Sequence, residues 1–242
     1  NFIPLRTLAR FSYPCKKPKK HLRAVPFTDN NLNMKTIVFC DIPMFEHMTA
    51  HCYANTGNAG VTYEKSVTFA VNAVLAERLT ANDDVKIVLL QTKDEHGKYL
   101  ENTQIFKNEL NAINRHCGAK ITYETLCTDF EGSRENIEKI YRSILNFFED
   151  KCALFADITY GPKPLPMVLM AALNFAEKFF YADIKGIFYA KVNFEKGKPV
   201  NPALFDVTPL YYMNSFASSI SATSGKNALL MLDTFFGKSE ED

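Results

Sequence analysis

The residues with the most chemical content lie together in one stretch, Asp157-Ile-Thr-Tyr-Gly-Pro-Lys-Pro-Leu-Pro166. An apolar run, Cys152 to Ala156, leads into it, and a second, Met167 to Leu173, leads out. Lys163 puts a mobile ammonium in the loop, a suitable partner for phosphate. Gly161 with Pro162, Pro164 and Pro166 marks a tight turn. A helix starting directly after that turn presents the positive end of its dipole and its first N–H groups, which favour an anion. Asp157 and Thr159 add a carboxylate and a hydroxyl at the strand exit. This chemistry suits the holding of a phosphate-bearing ligand. The same residues also describe a well-capped strand-to-helix connection with one solvated lysine, and local pattern leaves both readings open.

Other constellations carry less. His47 and His51 are spaced i, i+4, with Cys52, Cys40 and Asp41 nearby. A helix would set both rings on one face, as in some zinc sites, but no glutamate occupies the position a zincin uses, and no metal is expected. Asp206-Val-Thr-Pro-Leu210 reads as a helix start, with Thr208 as N-cap and Pro209 at the first helical position. The loop after the first strand, Cys40-Asp-Ile-Pro-Met-Phe45, has no G-x-G-x-x-G, so a dinucleotide fingerprint is absent. There is no Walker loop and no G-x-S-x-G elbow. No cofactor is expected.

The elements that must position these residues alternate. Lys35–Asp41 reads as a buried strand, Tyr63–Leu79 as a helix, Val85–Leu90 as a strand and Leu100–Cys117 as a helix ended by Gly118. Ala119–Glu124, Cys152–Ile158 and Ile184–Ala190 continue as strands. Between them lie helices Arg134–Phe148, with Ser133 as N-cap, and Leu165–Tyr181. Lys191–Pro202 reads as a loop or hairpin, Phe205–Thr208 as a short strand, and Pro209–Ser221 and Lys226–Phe236 as helices. Such alternation predicts an α/β fold: a Rossmann-like, mainly parallel sheet with helices on both faces and a short C-terminal helical extension. Ligands of such sheets sit beyond the carboxyl ends of the strands. The loop after the first strand, Asp41 to Phe45, with Asp41, Ile42 and Pro43 at its start, should therefore lie beside Asp157–Lys163.

Composition narrows the function classes. Residues 1–33 carry seven basic residues and one acidic, and show no strand or helix period. They read as a leader or non-native segment ahead of a single domain, 34–242, with its core at 34–208 and C-terminal helices at 209–237. From Met34 onward 21 basic residues face 26 acidic ones, a net charge of −5. No general nucleic-acid-binding surface is expected, and any anion site must be local. Six cysteines without a C-x-x-C pair fit a reducing cytoplasm. No apolar run approaches the ~20 residues of a membrane helix.

The Asp157–Pro166 stretch resembles the signature of the CARF (CRISPR-associated Rossmann fold) family, a strand ending D-x-T-x-G-x-[RK]-x-x-P that leads into an Ala/Leu-rich helix. Asp157, Thr159, Gly161, Lys163 and Pro166 match; Tyr160 stands where the family usually has histidine. Val71-Asn-Ala-Val-Leu-Ala76, the strand Lys185–Tyr189 and Asp206-Val-Thr-Pro-Leu210 agree in order. The resemblance spans roughly Met34 to Thr208.

That resemblance implies binding of a cyclic oligoadenylate, the second messenger of type III CRISPR systems, at a homodimer interface. The implied ligand-binding residues are Asp41, Ile42, Pro43, Asp157, Thr159, Tyr160, Gly161, Pro162 and Lys163. Two activities fit. A stand-alone sensor would bind the ring and regulate an effector protein. A ring nuclease would cleave it without metal, the ribose 2′-hydroxyl attacking its own phosphate; Lys163 is then the candidate for charge stabilisation and Thr159 for positioning. A nucleotide- or sugar-phosphate-processing enzyme on the same kind of sheet is the alternative from another class.

Overall fold

The computed structural model describes residues 34–44, 46, 48–129, 132–196, 198–221 and 224–236. The segment 1–33, Phe45 and His47 lie outside them. The described elements are β1 (Thr36–Ile42), α1 (Ala70–Arg78), β2 (Asp84–Thr92), α2 (Lys98–Cys117), β3 (Lys120–Thr128), α3 (Arg134–Leu145), β4 (Ala153–Asp157), α4 (Pro164–Phe179), β5 (Asp183–Glu195), β6 (Lys198–Asp206), α5 (Thr208–Ser219) and α6 (Gly225–Phe236).

The six strands form one sheet in the order β3-β2-β1-β4-β5-β6. β1 to β5 run parallel, and β6 returns antiparallel along β5. The fold is thus α/β with a Rossmann-like, mainly parallel sheet. β1 and β4 are buried along their whole lengths. Strands covered on both faces read as continuous apolar runs rather than alternating ones, which is why TIVFC and ALFA are so legible. On one face α1 and α2 contribute Val71, Val74, Phe106 and Leu110 to a core with Val38, Cys40, Ile87 and Phe155. On the other, Phe39 packs edge-on against Phe148, with ring centroids 5.4 Å apart. Each of these fully buried side chains contributes about 1.5–3 kcal/mol.

Helix ends follow the local chemistry. Ser133 accepts a hydrogen bond from the Asn136 N–H (3.2 Å) and starts α3. Gly118 ends α2 at φ +78, a conformation that suits a residue without a Cβ. Strands β3 and β5 run on to Thr128 and Glu195, past their expected ends at Glu124 and Ala190, and two further regions differ from the sequence reading. Tyr63–Phe69 is not helical: Val67 exchanges both backbone hydrogen bonds with His51 (2.9 Å each), and α1 starts only at Ala70. The apolar residues there are buried by an extended segment, which periodicity mistakes for a helix face. β5 pairs with β6 in a long antiparallel hairpin, as one of the two readings of Lys191–Pro202 had it, so the strand expected at Phe205–Thr208 spans Lys198–Asp206.

The long connection 43–69 is fastened to β6. The N–H groups of Asn58 and Ala59 both donate to the Leu204 carbonyl (3.2 Å). The Asn58 side chain accepts from the Asp206 N–H (2.7 Å) and donates to the Asp206 carbonyl (3.3 Å). Gly57 adopts φ +59, and a Cβ there would lie 2.1 Å from the Leu204 oxygen, so only glycine permits this approach.

The described residues fall into two compact units, one holding the whole sheet up to Tyr211 and one from Tyr212 onward. In the second, Phe216 meets Phe235 edge-on at 4.8 Å. Among the described residues no helix is long and apolar enough to cross a membrane.

Candidate functional site

The chain leaves β1 for β2 on one side and returns to β4 on the other, so the connections after β1 and β4 diverge between two neighbouring strands. Such a switch point leaves a crevice at the carboxyl end of the sheet. Cys40 and Asp157 are in register across the β1–β4 pair, which brings Asp41, Ile42 and Pro43 to the same end as Thr159–Lys163. An open cavity of about 360 Å³ lies there, lined by Pro43, Met44, Thr159, Tyr160 and Gly161. A second cavity, about 410 Å³, lies between β3 and α3. One of its two lysines, Lys93, is already paired with Asp129 (3.1 Å), so the switch point is the better candidate for an anion.

The site residues divide by burial. Asp41, Ile42, Pro43 and Asp157 are buried; Thr159, Tyr160 and Pro162 are half-buried; Gly161 and Lys163 are exposed. Asp157 and Thr159 form a closed hook. The Thr159 N–H (3.0 Å) and hydroxyl (2.5 Å) both donate to Asp157 Oδ1, and the hydroxyl oxygen accepts from the Ala190 N–H (2.9 Å). This ties the exit of β4 to β5. A second copy of the hook ends β6. Thr208 donates through its N–H (2.9 Å) and its hydroxyl to Asp206 Oδ1, and its hydroxyl accepts from the Ile187 N–H (2.8 Å). Thr208, predicted as an N-cap, thus spends its hydroxyl on β5, one residue inside the helix start.

The start of α4 has fewer donors than its position alone predicts. Pro164 and Pro166 have no N–H, and that of Leu165 turns back to the Pro162 carbonyl (2.8 Å). The N–H groups of Gly161 and Lys163 donate to nothing among the described residues. An anion at this loop would meet those two donors, the helix dipole and the Lys163 ammonium, which forms no ion pair among the described residues.

Beneath the loop lies a buried acidic cluster. Asp157, on the α1–α2 face, is pushed up to about 6 by burial, against the pull of the Thr159 hydrogen bonds. Burial and the nearby Asp157 raise the neighbouring tyrosines, Tyr53 to about 12 and Tyr160 further. Cys40 Sγ approaches Asp157 Oδ2 at 3.7 Å. Side chains alternate along a strand, so Asp41 faces the opposite side, toward the first turn of α4. It is fully buried, and among the described residues neither of its side-chain oxygens accepts a hydrogen bond. Burial and Asp157 raise it well above the usual carboxylate range.

Glu109 of α2 is a supporting residue that no local sequence signal marks. Its carboxylate accepts from the N–H groups of Thr68 (2.6 Å) and Phe69 (3.2 Å) and from Asn72 Nδ2 (2.7 Å), capping α1 from another helix. His51 sits in the Val67 bridge, its ring pushed down in pKa by burial. Among the described residues no group of three His, Cys, Asp or Glu side chains is placed to hold a metal ion.

Comparison of the sequence with protein-family models finds no matching family, and comparison with curated proteins finds no significant relative.

Proposed function

We propose that this chain binds a cyclic oligoadenylate at the Gly161–Lys163 loop, with two copies sharing one ring. The observation that carries the reading is the position of the Asp157–Pro166 motif. The stretch with the lysine and the free N–H groups lies at the switch point, where sheets of this kind take their ligands. A cavity of about 360 Å³ is at the lower end of small-molecule sites. A ring of four or six nucleotides exceeds it, so a second copy facing the first belongs to the proposal. Met167, Phe179 and Tyr181, on and just after α4, are exposed apolar side chains that such a partner would cover.

The commitment of the Thr159 hydroxyl to Asp157 and Ala190 leaves Lys163 as the main group for charge stabilisation. This favours binding without turnover over a ring nuclease. The test is incubation of the protein with labelled cyclic tetra-adenylate and cyclic hexa-adenylate in the absence of metal. Retention of an intact ring is the expected result. Linear products would identify a ring nuclease. The absence of both retention and cleavage would overturn the reading in favour of a nucleotide- or sugar-phosphate-processing enzyme.

A further inference from the structure

Asp41 is the one titratable group with unpartnered buried oxygens among the described residues; the others in that condition are the neutral side chains of Asn72, Thr92 and Asn174. Among the described residues its surroundings offer no charge to balance it. Leu90 is its register partner on β2, and Cys40 and Ile42 flank it on β1. Asp157 on β4 has the same sign, and the first turn of α4 is Pro164, Leu165, Pro166 and Met167, with no charge. Lys163 is the nearest cation in the loop, and it is exposed. An acid so placed is stable in its neutral form, carrying its proton.

Its position makes that proton consequential. Gly161 covers it at φ +87, so closely that a Cβ there would lie 3.1 Å from Asp41 Oδ2. Gly161 is also part of the cavity wall. Only the thickness of one glycine backbone therefore separates Asp41 from the place where an anion would sit. Ionised, Asp41 would repel that anion and compete for the same donors, the N–H groups of Gly161 and Lys163. Neutral, it does neither.

Resting on the reading above, we infer that Asp41 makes ligand binding proton-coupled: the Gly161–Lys163 loop holds a phosphodiester only while Asp41 is neutral, and ionisation of Asp41 releases it. The arrangement works through the backbone, so Asp41 tunes the site without touching the ligand. A raised carboxylate is the expected companion of this geometry, and the direction found for Asp41 agrees.

The experiment is fluorescence anisotropy of labelled cyclic tetra-adenylate and cyclic hexa-adenylate with the full chain, from pH 5 to 9 at constant ionic strength. The phosphodiesters of the ring stay ionised throughout. For the wild type the dissociation constant should rise with pH, approaching about tenfold per pH unit once Asp41 titrates. Asp41→Asn should abolish that slope and keep the low-pH affinity across the range. Asp41→Ser, also neutral and smaller, serves if the amide variant does not fold by circular dichroism. A flat wild-type profile overturns the inference while leaving the binding reading intact. A slope that survives in a folded neutral variant also overturns it, and assigns the titration to Asp157. Absence of binding at every pH overturns the cyclic oligoadenylate reading together with the inference.

Discussion

At the scale of single residues, the motif separates into parts that hold the loop and parts that face outward. Thr159 belongs to the first group. Thr159→Val removes the hydroxyl donor to Asp157 and the acceptor of the Ala190 N–H, leaving the buried carboxylate with the Thr159 N–H but one donor short. A loss of about 2–4 kcal/mol in urea unfolding is expected, with the fold retained. Lys163 belongs to the second group. Lys163→Ala should leave the melting temperature within a degree or two and weaken cyclic oligoadenylate binding at least tenfold, since a charge-assisted contact contributes about 1.5–3 kcal/mol. Unchanged affinity in a titration would make Lys163 a solvated loop residue. The type of each residue was legible in the sequence, but the helix start supplies fewer donors than expected, because Pro164 and Pro166 lack an N–H and that of Leu165 turns back to Pro162. The condition of Asp41 was not legible. It depends on Gly161, Leu165 and Asp157 arriving around it, and no spacing along β1 encodes that.

At the scale of elements, the alternation of apolar runs and amphipathic stretches sufficed for the parallel strands and their helices. Boundaries failed where burial occurred without regular structure. Val67 and Phe69 are fully buried in an extended segment, held by the His51 bridge and by Glu109. Burial of this kind carries the same apolar signal as a helix face. Glu109 is the reason α1 can start where it does. Glu109→Ala strips the acceptor from two backbone donors and from Asn72 Nδ2, so helix α1 should fray first. Hydrogen exchange is expected to show lost protection at Phe69–Ala73 before any loss in β1, together with destabilisation of about 2 kcal/mol. Uniform loss across the sheet would show that Glu109 supports the whole fold instead.

At the scale of the whole molecule, the proposed ring needs more surface than one copy supplies. Doubling the chain about a two-fold axis gives two lysines and two helix starts without further sequence. Light scattering at micromolar concentration should report a dimer, and Met167→Glu should shift it toward monomer while leaving circular dichroism unchanged. A monomer with and without cyclic oligoadenylate would remove the shared site.

The stitching of the 43–69 connection to β6 also dictates an order of events in time. Asn58 and Asp206 stand 148 residues apart, and the connection that flanks the crevice is fastened to β6, the last strand of the sheet. On a ribosome, β1 and its loop emerge long before the strand that secures them. The crevice is therefore among the last features to mature, after the parallel core has paired. A contact of such long sequence separation is expected to form after the folding transition state and so to act chiefly on unfolding. Asn58→Ala should accordingly speed unfolding in stopped-flow urea jumps while leaving the refolding rate nearly unchanged. Slower refolding would place this seam in the nucleus.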